Sequence, residues 1–210
     1  MKQSMTNCNL GPCTLEGKFV RLEPLRDSHA PGILKAAAGV DWTGLESQLK
    51  TRLEVDTRID SGLKAEEKGE EYAFAVVKKE ENRTIGSTAY FDVVQRHKRV
   101  TIGHTWYSPE MQGMVVNPES KFLLLCHAFE DWGAARVQLG AHVNNVHSQK
   151  AILKLGAKFE GRLRSYLIMP DGTPRDLLRY SIIAGEWPVV KSNLLSRIDK
   201  FEELRSTGNH

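Results

Sequence analysis

Three apolar-rich runs, at residues 72–78, 84–94 and 98–107, follow one another with only a few residues between them. The joining segments, Glu80-Glu-Asn82 and Gln95-Arg-His97, are polar and too short for a crossover helix, so the runs must pair as antiparallel strands. The character of the chain then changes. Residues 109–117 lead into a helix predicted to start with Pro118 at its first position and to carry an apolar stripe to about Trp132, where Gly133 ends it. A strand is expected at 136–143, a loop at 144–147 and a short helix at 148–155 stopped by Gly156. An antiparallel run thus gives way to a strand, helix, strand, helix order.

The remaining segments fit around this middle. Residues 18–25 alternate like a half-buried strand ended by Pro24, and Asp27-Ser28 signals a helix start. Leu45, Leu49, Leu53 and Ile59 place apolar residues at helical spacing across 45–68, as one long or two short amphipathic helices, with Gly62 and Gly69 blurring the end. Two late strands, 158–169 and 176–183, flank the turn Pro170-Asp-Gly172, and Pro188 opens an amphipathic C-terminal helix. No internal repeat appears. With 210 residues, 40% of them hydrophobic, one core is the expectation: a polar leader at 1–14 and a single domain at 15–210.

Charge and cysteine usage narrow the partners. The 29 basic and 26 acidic residues leave a net charge of +3 and are scattered along the chain, which excludes the concentrated basic footprint of a nucleic-acid binder. Cys8, Cys13 and Cys126 are odd in number and lack CxxC spacing, which suggests neither a disulfide framework nor a zinc site. His97, His127, His142 and His147 form no ligand pattern, so no metal is expected. No apolar leader core and no run of 18 apolar residues occurs. A soluble, cytoplasmic protein without a membrane partner is the expectation.

One segment bears directly on chemistry. Residues 112–117 join a strand to a helix N-terminus, where backbone N–H groups and the helix dipole favour a phosphate. A single glycine there is also compatible with an ordinary capped turn, or with another nucleotide ligand. Downstream, Asn145-Val-His-Ser148 opens the next helix, with Ile152, Leu155 and Gly156-Ala157 following. Both Asn145 and Ser148 have an alternative role as helix caps.

On these two segments in this order, the chain resembles the GNAT superfamily of acetyltransferases. That family's loop is written as Gln or Arg, two residues, Gly, one residue, Gly or Ala, and its later motif as Asn, two residues, Ser, then a helix ended by glycine. Further pieces look like the ribosomal-protein N-terminal acetyltransferase (RimJ/RimL-like) branch: Arg21-Leu-Glu-Pro-Leu25, Ile102-Gly103, Lys121 to Leu125 with His127-Ala-Phe129, Arg175-Asp176, Tyr180-Ser181 and Glu186-Trp-Pro188. The resemblance covers about residues 15–200. It implies an α/β (α+β) fold, a mixed sheet of about seven strands with flanking helices, whose fourth strand (98–107) and fifth (136–143) splay apart. Acetyl-CoA would lie in that gap like an added strand.

The site residues implied are then specific. Gln112, Gly113, Met114, Val115, Val116 and Asn117 would hold the pyrophosphate, and Asn145 the pantetheine amides. Trp106 and Tyr107 would place a backbone N–H on the thioester oxygen. Ser148 would assist the leaving thiolate, and Trp42 would line the acceptor cleft. Two departures stand out: Thr101 occupies a position where relatives often carry Glu, and Val115 falls where a second small residue is usual, close to the pyrophosphate that its side chain would crowd. His104, two residues beyond Ile102 and therefore expected on its face of the strand, has an intrinsic pKa suited to a base. A water-relayed proton route is the alternative, because an α-amine with pKa near 8 is partly neutral already. The implied reaction is transfer of an acetyl group to a peptide or small-molecule amine. A CoA-binding protein with little turnover is the alternative, and a homodimer is admissible.

Overall fold

The computed structural model describes residues 9–42, 45 and 48–206. Eight strands form one sheet: β1 (Leu15–Glu16), β2 (Val20–Pro24), β3 (Glu71–Lys78), β4 (Arg83–Val94), β5 (Arg99–Tyr107), β6 (Arg136–His142), β7 (Lys158–Ile168) and β8 (Pro174–Ile183). Their spatial order is β1-β2-β3-β4-β5-β6-β8-β7. All neighbours are antiparallel except β5 and β6, which are parallel. The eighth strand, beyond the seven expected, is the two-residue edge β1 paired to Leu22 and Arg21.

Among the described residues five α-helices cover the two faces: α1 (Ala30–Ala37), α2 (Arg52–Glu67), α3 (Val116–Cys126), α4 (Val146–Lys154) and α5 (Trp187–Ser206). Along β3 the alternation sorts large from small. Tyr72, Phe74 and Val76 join the core under α3 and α5, which includes Leu124, Leu125, Val190 and Leu194. Ala73 and Ala75 face α1 and α2, where Ile33, Val55 and Ile59 close on them. Both faces of the strand are therefore buried, as a central strand requires.

Several boundaries move for identifiable reasons. The helix expected from residue 45 begins only at Arg52, because Thr51 and Glu54 form a capping box: the Thr51 side chain accepts from Glu54 N–H and Glu54 reaches back to Thr51 N–H. Pro118 is the third helical residue rather than the first, a place that still tolerates a missing N–H because first-turn donors have no helical partner. The stripe expected to reach Trp132 leaves α-geometry at Cys126 and continues as a π turn over His127–Asp131. The helix expected from Ser148 starts at Val146, two residues earlier, with Asn145 as its cap.

The N-terminal part is tied down by polar as well as apolar contacts. Leu10, within the segment read as a polar leader, is fully buried. Glu119, buried in the first turn of α3, accepts from the N–H groups of Lys18, Phe19 and Val20 at 2.6, 2.9 and 2.8 Å. That one carboxylate locks the start of β2 to the helix that follows the glycine loop. Glu119→Ala leaves three donors without partners, and we expect a loss of at least ~3 kcal/mol, or roughly 6–12 °C in melting temperature. Glu119→Gln, which keeps one acceptor oxygen, should lose less. A shift below about 2 °C for the alanine variant, by thermal unfolding, would contradict this role.

Candidate functional site

The β5–β6 pairing stops early. Only Arg99↔Arg136, Val100↔Val137 and Thr101↔Gln138 are partnered, although β5 runs to Tyr107 and β6 to His142. Beyond Thr101 the two strands diverge, and each keeps only its outer neighbour, β4 or β8. The gap therefore exposes a wall of unpaired strand edge on either side. Ladder hydrogen bonds alternate along a strand. Ser108 N–H bonds Ile85 C=O at 2.8 Å, and Trp106 is paired with Ser87. The alternate residue, Tyr107, turns its N–H and C=O toward the gap.

Because β5 and β6 are parallel, their carboxyl ends lie at the same end of the sheet, and the helices that follow them, α3 and α4, both start there. A crevice at the carboxyl ends of diverging parallel strands is the standard place for a ligand in such sheets. Leading into α3, Gln112, Gly113 and Met114 are exposed, with Gly113 at φ +77. Among the described residues no side chain caps α3, which suits its first N–H groups to an anion. Val115 and Val116 are buried, and both line a cavity of about 220 Å³ with Phe19, Met111 and Phe201. The Val115 side chain thus packs inward, which removes the expected crowding of a phosphate on the exposed rim. Set against the written motif, Gly113 is the first glycine, and the Gln or Arg position falls on Glu110, which pairs with Arg83 at 3.0 Å; Gln112 lies between. Asn117 Oδ1 accepts from the Tyr107 hydroxyl at 3.3 Å, and burial raises the pKa of that phenol.

At α4, Asn145 Oδ1 accepts from Ser148 N–H at 3.0 Å. The cap is therefore the Asn145 side chain, and Ser148 supplies a backbone donor to it. No hydrogen bond engages the half-buried Ser148 hydroxyl among the described residues.

A β-bulge re-aims the middle of β5. Register shifts between Ser87 and Ala89, so one residue of β4 opposes both His104 and Thr105. His104 adopts φ +49 and lies with its ring centroid 4.6 Å from that of Phe91. Phe91 shares the α1/α2 face with Ala89. The expected placement of His104 on the Ile102 face is therefore corrected: alternation by two fails across a bulge, and the ring turns to the opposite side. Thr101, on that same α1/α2 side, is buried with its Oγ1 3.4 Å from both Asp92 Oδ2 and Gln138 Oε1. Trp42 is buried against Trp106, ring centroids 5.4 Å apart, so it backs the bulged strand. Thr43, Gly44, Glu46 and Ser47 lie outside the described residues, as does Cys8.

Two further residues at the site were given no role there from sequence. Lys121 Nζ, buried, donates to Thr105 Oγ1 at 2.6 Å and Thr88 Oγ1 at 3.3 Å, tying α3 to the bulge. Burial pushes its pKa from 10.5 down to about 7. The signal was present, since Lys121 stands one turn from Leu124 and Leu125 on the buried stripe. His142, at the end of β6, accepts from Asn144 N–H through Nδ1 at 3.0 Å, which assigns its proton to Nε2. That Nε2 is buried without a partner among the described residues. Burial, then the Arg175 charge, lowers the His142 pKa, so the ring is a neutral donor and not a base.

Comparison with known proteins agrees with this geometry. The acetyltransferase (GNAT) domain family matches residues 20–158, and the chain belongs to that family. The uncharacterized N-acetyltransferase YoaA of Bacillus subtilis is 29% identical over 112 residues, 52% of this chain and 61% of that protein, so the chain spans about three fifths of this curated relative. A GCN5-related N-acetyltransferase from Brucella melitensis superposes with a TM-score of 0.81 at 26% identity, covering 88% of this chain and 84% of that one. Mycobacterium smegmatis RimJ, solved in complex with CoA-disulfide, shares the fold with a TM-score of 0.74 at 20% identity, over 90% and 96% of the two chains.

Lys121 generates a test with a definite sign. Its folded pKa lies below the unfolded value, so between pH 7 and 10.5 the unfolded chain binds more protons, and stability rises with pH through that window by up to ~1.4 kcal/mol per unit. Lys121→Met removes this term. Urea unfolding at pH 7 and 9.5 should show the wild type gaining at least ~2 kcal/mol on the variant. A difference independent of pH would mean that Lys121 keeps its charge.

Proposed function

We propose that the chain transfers an acetyl group from acetyl-CoA to a primary amine in a ternary complex. The observation that carries this reading is the gap between β5 and β6, walled by unpaired strand edges and headed by the N-termini of α3 and α4. The pantetheine arm would add to the open edge as an extra strand. Its pyrophosphate would meet the N–H groups around Gly113 to Asn117, and its amides the polar groups near Asn145. Acetyl-CoA serves as co-substrate, and the residues around the gap suit it.

The chemistry asks mainly for positioning, since the thioester is already activated. Tyr107 N–H, turned to the gap, stabilises the oxyanion that forms when the amine attacks. The Ser148 hydroxyl hydrogen-bonds the departing thiolate. His104, on the α1/α2 face with Phe91, receives the amine proton directly or through water; its left-handed backbone is of the kind functional sites maintain. Lys121 holds the bulge that aims His104 and Tyr107. Trp42 acts from behind Trp106, so its influence on the acceptor is indirect. The acceptor class is a peptide α-amine or a small amine that approaches from the α1/α2 side. Among the described residues no helix is long and apolar enough to cross a membrane, and we assign the activity to the cytoplasm, where acetyl-CoA is available.

Ser148 supplies the test, because its side chain does not make the cap. Ser148→Ala should leave stability within about 0.5 kcal/mol of wild type while lowering kcat ten- to a thousandfold. Asn145→Ala should cost about 1 kcal/mol of stability and raise KM for acetyl-CoA more than it lowers kcat. Wild-type single-turnover rates in Ser148→Ala would sink the thiolate role. Acetyl-CoA binding with no acetyl transfer to any amine of a broad panel would support the binding-protein reading instead.

A further inference from the structure

Three side chains that acetyl transfer does not use meet at the end of α3 remote from the glycine loop. Cys13 Sγ lies 3.5 Å from His127 Nε2, and His127 Nδ1 lies 2.8 Å from Asp131 Oδ2. Separate structural features hold each member. Leu10, fully buried, and Asn9, whose Oδ1 accepts from the Tyr72 hydroxyl at 3.3 Å, anchor the segment that carries Cys13. His127 and Asp131 stand four residues apart on the π turn, closed by Trp132 N–H on His127 C=O at 3.0 Å. Such turns are uncommon and recur at functional sites.

The exposure of the three is graded in a useful way. His127 is buried against the Tyr90 ring, Cys13 is half-buried, and Asp131 is exposed. Cys13 is thus the partly exposed member beside a shielded imidazole. Burial opposes a charged His127, but its hydrogen bonds to Cys13 and Asp131 outweigh that and lift its pKa to about 9. A proton that passes to this ring is therefore held there, facing the sulfur. Cys126, adjacent in sequence to His127, is the internal contrast: burial and the Glu130 charge push its thiol up to about 11.

We propose that Cys13, His127 and Asp131 form a reactive thiol site that takes a small hydroperoxide and converts Cys13 to a sulfenic acid. In the reactive pair the thiol proton of Cys13 has passed to His127 Nε2, 3.5 Å away, while the Nδ1 proton of the same ring is held by Asp131. The sulfur attacks one peroxide oxygen, so that an S–O bond forms as the O–O bond breaks. Sulfur is oxidised by two electrons and the peroxide is reduced. The proton on His127 Nε2 passes to the departing hydroxide, leaving sulfenic acid, neutral imidazole and water. His127 keeps its Nδ1 proton, which it donates to Asp131 Oδ2, and that bond fixes the ring.

The experiment uses the full chain carrying Cys8→Ser, so that Cys13 and Cys126 are the two thiols present. Hydrogen peroxide is added with dimedone as a sulfenic-acid trap, and peptide mass spectrometry gives a rate for each cysteine. Cys13 should label at least tenfold faster than Cys126. His127→Gln should slow Cys13 at least tenfold, and Asp131→Asn, at an exposed position where the melting temperature can be checked, at least threefold. If the His127 variant does not fold, the Asp131 variant carries the test. Equal labelling of Cys13 and Cys126, or a Cys13 rate untouched in folded Asp131→Asn, overturns the proposal.

Discussion

The pairing between β5 and β6 ends at Thr101 and Gln138, and the site follows from that interruption. A continuous ladder would consume the N–H and C=O groups of both strands and leave no place for an extended ligand. Divergence is costly in isolation, because strand edges prefer partners. The outer pairings offset that cost: β5 keeps β4, and β6 keeps β8 over seven residues. Parallel orientation then brings the starts of α3 and α4 to the mouth of the gap, so one topological feature supplies both an open edge and two helix N-termini.

The bulge opposite Thr88 converts that opening into a directed site. An extra residue in β5 turns His104 to the Phe91 side and leaves Thr105 facing α3. Lys121 then reaches from the helix to Thr105 and Thr88, a polar contact inside an apolar layer. Poor solvation brings the pKa of that amine down to about 7, so it can donate hydrogen bonds in its neutral form, without the full cost of a buried charge. Trp42 and Trp106 close the other side. Strand edge, bulge and helix are thus coupled through a few side chains.

Much of the fold was legible because periodicity and turn length are local properties. The short turns at 80–82 and 95–97 required antiparallel pairing, and β3, β4 and β5 fall within a residue of the expected runs. The junction at Gly113 and the Asn145–Ser148 segment were likewise readable as a pair, and the family match over residues 20–158 agrees with them. Two of the misplacements depend on partners distant in sequence. His104 was assigned a face by alternation, yet the bulge is a property of the β4–β5 pair. Val115 was read as crowding the phosphate loop, yet Phe19 and Phe201, far along the chain, create the cavity that takes it. Ser148 could not be separated from its capping role until the Asn145 side chain was seen to make the cap.

The central claim is that the gap beside β5 receives the acyl donor as an added strand. Amide hydrogen exchange followed by NMR, with and without acetyl-CoA, reads this directly, because adjacent amides on β5 turn in opposite directions. The account predicts that acetyl-CoA slows exchange at Tyr107 at least tenfold and leaves Ser108, already bonded to Ile85, nearly unchanged. Saturating acetyl-CoA that protects other amides while Tyr107 exchanges at its free rate would contradict it.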